Sequence, residues 1–127
     1  MAKVLVLYSS PLNNMKSIST LAAKKFIEEY KNINQNDEII EFDLNNLEMA
    51  QSGMNSNNFG NFFNEDLSNK YIELLKEVNK VVISSPMINF NVPTVLKTFI
   101  DRIAVANKTF SYKYSKKRCF NRTIIKP

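Results

Sequence analysis

Histidine is absent from this chain, cysteine occurs once, at Cys119, and glycine twice, at Gly53 and Gly60. Each scarcity excludes something. A single cysteine rules out an intramolecular disulfide. Without histidine, zinc and other transition-metal sites lose their usual nitrogen and sulfur ligands. Ser-His and Cys-His nucleophiles and histidine acid–base chemistry go as well. Two isolated glycines cannot build a G-x-G-x-x-G or P-loop phosphate cradle. Any enzyme chemistry therefore falls to carboxylates, lysines, hydroxyls, backbone donors or a bound cofactor, and a cofactor is the economical answer. No apolar run approaches bilayer length, and the short run Val4–Tyr8 has neither the length nor the following cleavage site of a signal peptide. A cytoplasmic location is the expectation.

Acidic residues are missing from the last twenty positions, where seven are basic. The first 107 residues carry 10 Lys+Arg against 12 Asp+Glu, a formal −2, and the end segment adds +7 to give the net +5. The basic character thus belongs to an appendage. The 127 residues hold one domain at most, expected over 1–115, followed by a basic irregular tail over 116–127. With 44% hydrophobic and 23% charged residues, the composition suits a globular core.

Lys3–Tyr8 is a continuous apolar run ending at Ser9-Ser10-Pro11, the character of a central parallel strand buried on both faces. Ser17–Lys31 has helical spacing at Ile18, Leu21, Ala22, Phe26 and Ile27, with Ser17 or Ser19 as N-cap. A second strand is expected at Glu38–Asp43 and a third at Lys80–Ser85. Helices are expected at Asp66–Asn79 and Thr94–Asn107, and a short strand at Phe110–Tyr114. Leu44–Glu65 is Asn-rich and long, has room for short helices, and reads as a lid or binding loop. Alternating strands and helices predict an α/β fold with a parallel sheet, right-handed crossovers, and a ligand site outside the carboxyl ends of the strands.

Two loops fall there. In Ser9–Ser19, hydroxyls run into a helix N-terminus, whose free N–H groups and positive dipole end suit a phosphate. The same serines also read as an ordinary strand end and helix cap. Ser84–Pro93 is apolar and amide-rich and stiffened by Pro86 and Pro93; its backbone groups, with Met87 and Phe90, suit a flat heteroaromatic ring. Met87 and Phe90 also read as core plugs.

Together the loops resemble the flavodoxin-like FMN-dependent NADH:quinone oxidoreductases, the azoreductase family. The resembling residues are Lys3–Pro11, Ser17-Ile18-Ser19, and Ser85–Thr94 with Leu96-Lys97 and Phe99-Ile100-Asp101, of which Pro86-Met87-Ile88-Asn89-Phe90-Asn91 is the specific stretch. The resemblance runs from Lys3 to about Tyr114 and implies a flavodoxin-like doubly wound sheet. It further implies that Ser10, Ser17, Ile18 and Ser19 hold the FMN phosphate, while Met87, Ile88, Asn89 and Phe90 line the isoalloxazine. It implies a ping-pong transfer of two electrons from NADH through FMN to a quinone or azo acceptor, no catalytic side chain, and a homodimer.

Members of that family continue past this point with further strands. The sheet order of such folds is 2-1-3-4-5, and only 2-1-3 is expected here. Val81-Val82-Ile83 would then form a bare apolar edge, and the chain alone is expected to be marginal in stability, to bind FMN weakly or not at all, and to be impaired in activity. One allowed codon choice near Lys117, read one frame over, spells a plausible apolar continuation; a shifted frame is an expectation that sequencing the gene tests. Two other functions stay open. One is a flavodoxin-like electron carrier. The other is a non-enzymatic binder of nucleic acid or anionic surfaces through the tail, where Phe110, Tyr112, Tyr114 and Phe120 interleave with basic residues. The absence of a recognisable nucleic-acid module weighs against the last.

Overall fold

The computed structural model describes residues 1–12, 16–63 and 68–113. The basic tail, the Tyr114 end of the expected last strand, and the site of the suggested frame shift lie outside the described residues.

Three strands, β1 (Lys3–Tyr8), β2 (Glu38–Asp43) and β3 (Lys80–Ser84), form a parallel sheet in the order β2-β1-β3. The register pairs Val4 with Ile39 and Lys80, and Tyr8 with Asp43 and Ser84, so all three strands end at one level. The central position of β1 explains its uninterrupted apolar run. Val4 and Val6 bury on one face beside Tyr8 and Ile27, and Leu5 and Leu7 on the other beside Leu44, Met49, Leu96 and Phe99. A strand covered on both faces has no position for a solvated residue.

Helix α1 (Ile18–Ile33) covers the valine face. The leucine face takes the short helix α2 (Glu48–Gln51), α3 (Asn69–Glu77) and α4 (Thr94–Ile103). Helices on both faces of a parallel sheet make this the expected doubly wound α/β arrangement.

Three expectations are corrected. Leu44–Glu65 is not a free lid. It opens with a 3-10 turn at Leu44–Asn46 and continues into α2, and Leu44, Met49, Ala50 and Phe62 are core residues. Arg102, buried on α4, ties this loop down: Nε and Nη2 donate to the Ser52 carbonyl at 3.1 and 2.8 Å, and Nη1 to the Phe62 carbonyl at 3.1 Å. Its guanidinium also lies 3.9 Å from the Phe62 ring centre. Helix α4 stops at Ile103, not Asn107. The Thr109 hydroxyl donates to the Ile103 carbonyl at 2.7 Å and accepts from the Val105 N–H at 3.0 Å, while Asn107 turns to φ 66°. A side chain that takes over helix-end hydrogen bonds competes with the next helical turn. The strand expected from Phe110 reduces to an isolated bridge, Ala106 to Phe110, with the Phe110 ring edge-on to Tyr112.

Candidate functional site

The carboxyl ends of β1 and β3 are joined beyond their last paired residues. Ser9 N–H donates to the Ser84 carbonyl at 3.1 Å, and the buried Ser9 hydroxyl donates to the same oxygen at 2.7 Å. The chains leaving these strands, Ser9 onward and Ser85 onward, therefore start from one spot at the head of the sheet. Asn45 closes the third side, donating from Nδ2 to the Ser10 carbonyl at 2.8 Å and to Asp43 Oδ1 at 2.9 Å. Asp43 in turn caps the 3-10 turn by accepting from Asn45 N–H at 3.0 Å. Sequence reasoning missed Asn45. The signal was an Asx turn at Asp43-Leu44-Asn45, legible as Asp followed two residues later by a donor.

Ser17 is the N-cap of α1. Its extended backbone (φ −91°, ψ 116°) lets Oγ accept from Thr20 N–H at 3.3 Å and from the Thr20 hydroxyl at 3.0 Å, with Ser19 Oγ 3.1 Å away. Of the two cap candidates, Ser17 and Ser19, it is Ser17 that caps the helix. Its lone pairs serve the cap, so what it can offer an anion is the hydroxyl hydrogen. Ile18 and Ser19 are the first helical residues, whose N–H groups have no intrahelical acceptor. The Ile18 side chain is 84% exposed, so only its backbone can serve a ligand. Ser10 is buried, and its Oγ accepts from Leu12 N–H at 3.2 Å. Asn13, Asn14 and Met15 in the same loop lie outside the described residues.

The second loop contains two of the three non-glycine residues with positive φ among the described residues. Ile88 N–H donates to the Asn91 carbonyl at 2.8 Å and Asn91 N–H returns the bond to Ile88 at 3.0 Å, so Asn89 and Phe90 form a two-residue turn. Both have positive φ, 47° and 65°. Such turns normally take Asn-Gly, because an aromatic side chain is crowded in the left-handed region. Phe90 nevertheless occupies it and is 96% exposed, with Met87, Ile88 and Val92 also exposed around it. The reading of Met87 and Phe90 as core plugs therefore fails. A strained, solvent-facing aromatic persists where the surroundings over-determine it, and such residues cluster at ligand sites. The loop bounds a shallow concavity of about 340 Å³ with Ser85, Pro86 and Asn91. A larger one of about 550 Å³ lies under the end of α4, between Phe63, Val105, Lys108 and Phe110. It is bounded at the far end of α4 by Phe110 and Tyr112, two of the aromatics interleaved with basic residues, and by none of the residues of the Ser9–Ser19 and Ser84–Pro93 loops.

Two hydroxyl groups at the strand heads bear on what the site can do. Burial first, and then the Glu41 carboxylate that accepts from the Tyr8 hydroxyl at 2.6 Å, push the Tyr8 phenol well above its ordinary value. It is no proton source near neutrality. The buried Ser84 hydroxyl at the head of β3 has no partner among the described residues. An orphaned hydroxyl at the head of β3, on the residue whose carbonyl Ser9 bonds, can serve an anionic group without any cationic side chain. A planar ring fits the exposed apolar loop. A phosphorylated nucleotide with a flat ring system satisfies both halves.

Comparison with known proteins bears on the fold. A family described as having a flavodoxin-like fold matches residues 2–123. The FMN-dependent NADH:quinone oxidoreductase of Metamycoplasma arthritidis is 56% identical over 117 residues, covering 92% of this chain and 60% of that protein. That of Malacoplasma penetrans is 48% identical over 117 residues, covering 92% and 55%. Among solved structures, azoreductase AzrA superposes with a TM-score of 0.76 at 26% identity, covering 90% of this chain and 61% of that one. An FMN-dependent NADH-azoreductase from Bacillus anthracis, solved in complex with FMN, gives 0.68 at 25% identity over 87% and 60%. The chain spans about three-fifths of the length of the relatives it matches. By the match over nearly its whole length and the β2-β1-β3 parallel sheet, the chain belongs to the flavodoxin-like fold family.

Proposed function

We propose that this chain carries the nucleotide-binding part of an FMN-dependent oxidoreductase that takes two electrons from NADH and delivers them to a quinone or an azo compound. The observation that carries this reading is the juncture at Ser9 and Ser84. It brings the hydroxyl-rich loop and the strained aromatic loop to the heads of neighbouring strands. The names of the relatives from Metamycoplasma arthritidis and Malacoplasma penetrans supply the cofactor and the electron donor.

In this reading Ser10 and Ser17, with the backbone N–H groups of Ile18 and Ser19, hold the phosphate. The α1 dipole stabilises its charge, by about 0.3–1 kcal/mol for an exposed group. Met87, Ile88, Asn89 and Phe90 line the ring, and backbone groups of the turn meet its polar edge. FMN held there would supply the two-electron chemistry between NADH and the acceptor. The residues of the chain orient the ring and keep one face apolar, and none acts as nucleophile or acid. A cytoplasmic location and a homodimer belong to the same reading, through the family resemblance. Among the described residues no helix is long and apolar enough to cross a membrane.

The test is the visible spectrum of the purified chain. Flavin absorbance that co-elutes with the protein and bleaches on adding NADH is the expected result. Absorbance that bleaches with dithionite but not with NADH would make the protein an electron carrier. A chain that takes up no flavin from an FMN solution would contradict the proposal.

A further inference from the structure

A loop that receives an anion must turn donors outward and keep lone pairs aside, because an oxygen facing a phosphate repels it. Two acceptors at the head of the sheet work against this. One is the Ser10 carbonyl. Pro11 follows it and has no N–H, and the next amide, that of Leu12, already donates to Ser10 Oγ at 3.2 Å. The other is the carboxylate of Asp43, the last residue of β2, which pairs with Tyr8 immediately before Ser9.

Asn45 engages both. Its Nδ2 donates to the Ser10 carbonyl at 2.8 Å and to Asp43 Oδ1 at 2.9 Å, and its backbone N–H donates to the same Oδ1 at 3.0 Å. Both neighbours of the side-chain amide are acceptors, so only its NH2 end fits there. The Asx turn fixes the Asn45 backbone, and the Asn45 carbonyl accepts from Gln51 Nε2, so the side chain is held in place before any ligand arrives. Ser10 is restricted too, since a residue before proline is pushed to extended backbone. The bond from Asn45 then sets the direction of the Ser10 carbonyl, toward the β2 side. Ser10 keeps its hydroxyl hydrogen for a ligand, because its Oγ accepts from Leu12 N–H.

We propose that Asn45 is a positioning residue for the phosphate: it holds the Ser10 carbonyl aside and occupies Asp43 Oδ1, so that the loop presents donors alone. It acts through Ser10 and Asp43 and touches no ligand itself. The inference rests on the reading of Ser9–Ser19 as the phosphate loop. It adds a residue from the connection after β2, outside both loops. Without Asn45 the Ser10 carbonyl can turn toward the anion, and Asp43 Oδ1 loses the side-chain donor that covers it.

The experiment titrates FMN and riboflavin into the parent chain and Asn45→Ala, with flavin fluorescence as the readout. FMN affinity should fall about tenfold, the effect of a lost hydrogen bond and a bared acceptor, and riboflavin affinity by less than about twofold. Circular dichroism checks the fold. Should Asn45→Ala unfold, Asn45→Leu, of similar size and equally without a donor, takes its place with the same expectation. An equal loss for both flavins would make Asn45 a brace of the β2–α2 connection and overturn the proposal, as would an unchanged FMN affinity. A parent chain that prefers FMN, with a variant that keeps the preference, sinks this inference and leaves the oxidoreductase reading standing. A parent chain that binds neither flavin sinks both.

Discussion

Phe90 is the residue at which local preference and observed geometry disagree most. A left-handed conformation costs an ordinary residue about 1–2 kcal/mol, and an almost fully exposed ring recovers little of that by packing. Phe90→Gly removes the strain but gives the unfolded chain more freedom. Its urea midpoint should therefore rise by the equivalent of about 0.5–1 kcal/mol, while its affinity for FMN falls. A variant that loses stability would mean that the ring is held by contacts in the free chain. Arg102 is the opposite kind of residue, wholly structural. Arg102→Ala leaves the Ser52 and Phe62 carbonyls without their donor and should cost about 3 kcal/mol, measured by urea unfolding. Arg102→Lys should recover less than half, since an ammonium cannot fork between two carbonyls.

Tyr30 links two charges at the far end of the sheet. Its hydroxyl donates to Asp37 Oδ2 at 2.5 Å and accepts from Lys80 Nζ at 2.7 Å, and Asp37 Oδ1 accepts from Ala2 N–H at 2.8 Å. The Tyr30 bond, followed by the Ala2 amide, holds Asp37 below its ordinary 3.8, and the Tyr30 bond is also the main cause that raises Lys80 above 10.5. A lowered carboxyl stabilises the fold above its ordinary value, and that contribution is lost as pH falls through the lowered one. A raised ammonium stabilises below its ordinary value, and loses that as pH rises through the raised one. Tyr30→Phe should therefore flatten the stability profile both below about pH 4 and above about pH 10. An unchanged profile would show that the triad is not maintained in solution.

At the level of elements, the start of α1 was legible and the end of α4 was not. Ser17 was one of two cap candidates, because a hydroxyl before the first periodic apolar residue has few other uses. Ser17→Ala should cost about 1 kcal/mol of unfolding free energy and weaken phosphate-bearing ligands more than riboflavin. The end of α4 depended on Thr109, six residues beyond the last helical one, a competition that helical periodicity does not register. The region after β2 was misread for a similar reason. Asparagines and glycines suggested a lid, whereas Met49, Ala50 and Phe62 bury, held by a buried arginine contributed by α4, 40–50 residues away. Long-range anchoring of this kind leaves no local pattern. The shared position of the two loops was legible, because parallel topology forces turns after neighbouring strands to one end of the sheet. The turn geometry of Asn89 and Phe90 was not, since Asn-Phe is an unusual occupant of such a turn.

Across the whole molecule, the β2-β1-β3 order and the two-faced core follow from three apolar runs separated by helical periods. The exposed β3 edge follows from the same runs, because a strand written for burial on both faces has only one neighbour among the described residues. The central claim is that the turns Ser9–Ser19 and Pro86–Pro93 form one site, with the first taking a phosphate and the second a ring. Titrating FMN and riboflavin into the chain, with flavin fluorescence as the readout, tests it most directly, using Ser17→Ala and Phe90→Ala as variants. The account predicts that FMN binds more tightly than riboflavin, that Ser17→Ala narrows that preference, and that Phe90→Ala weakens both ligands alike. Equal affinity for the two flavins, or variants indistinguishable from the parent chain, would contradict it.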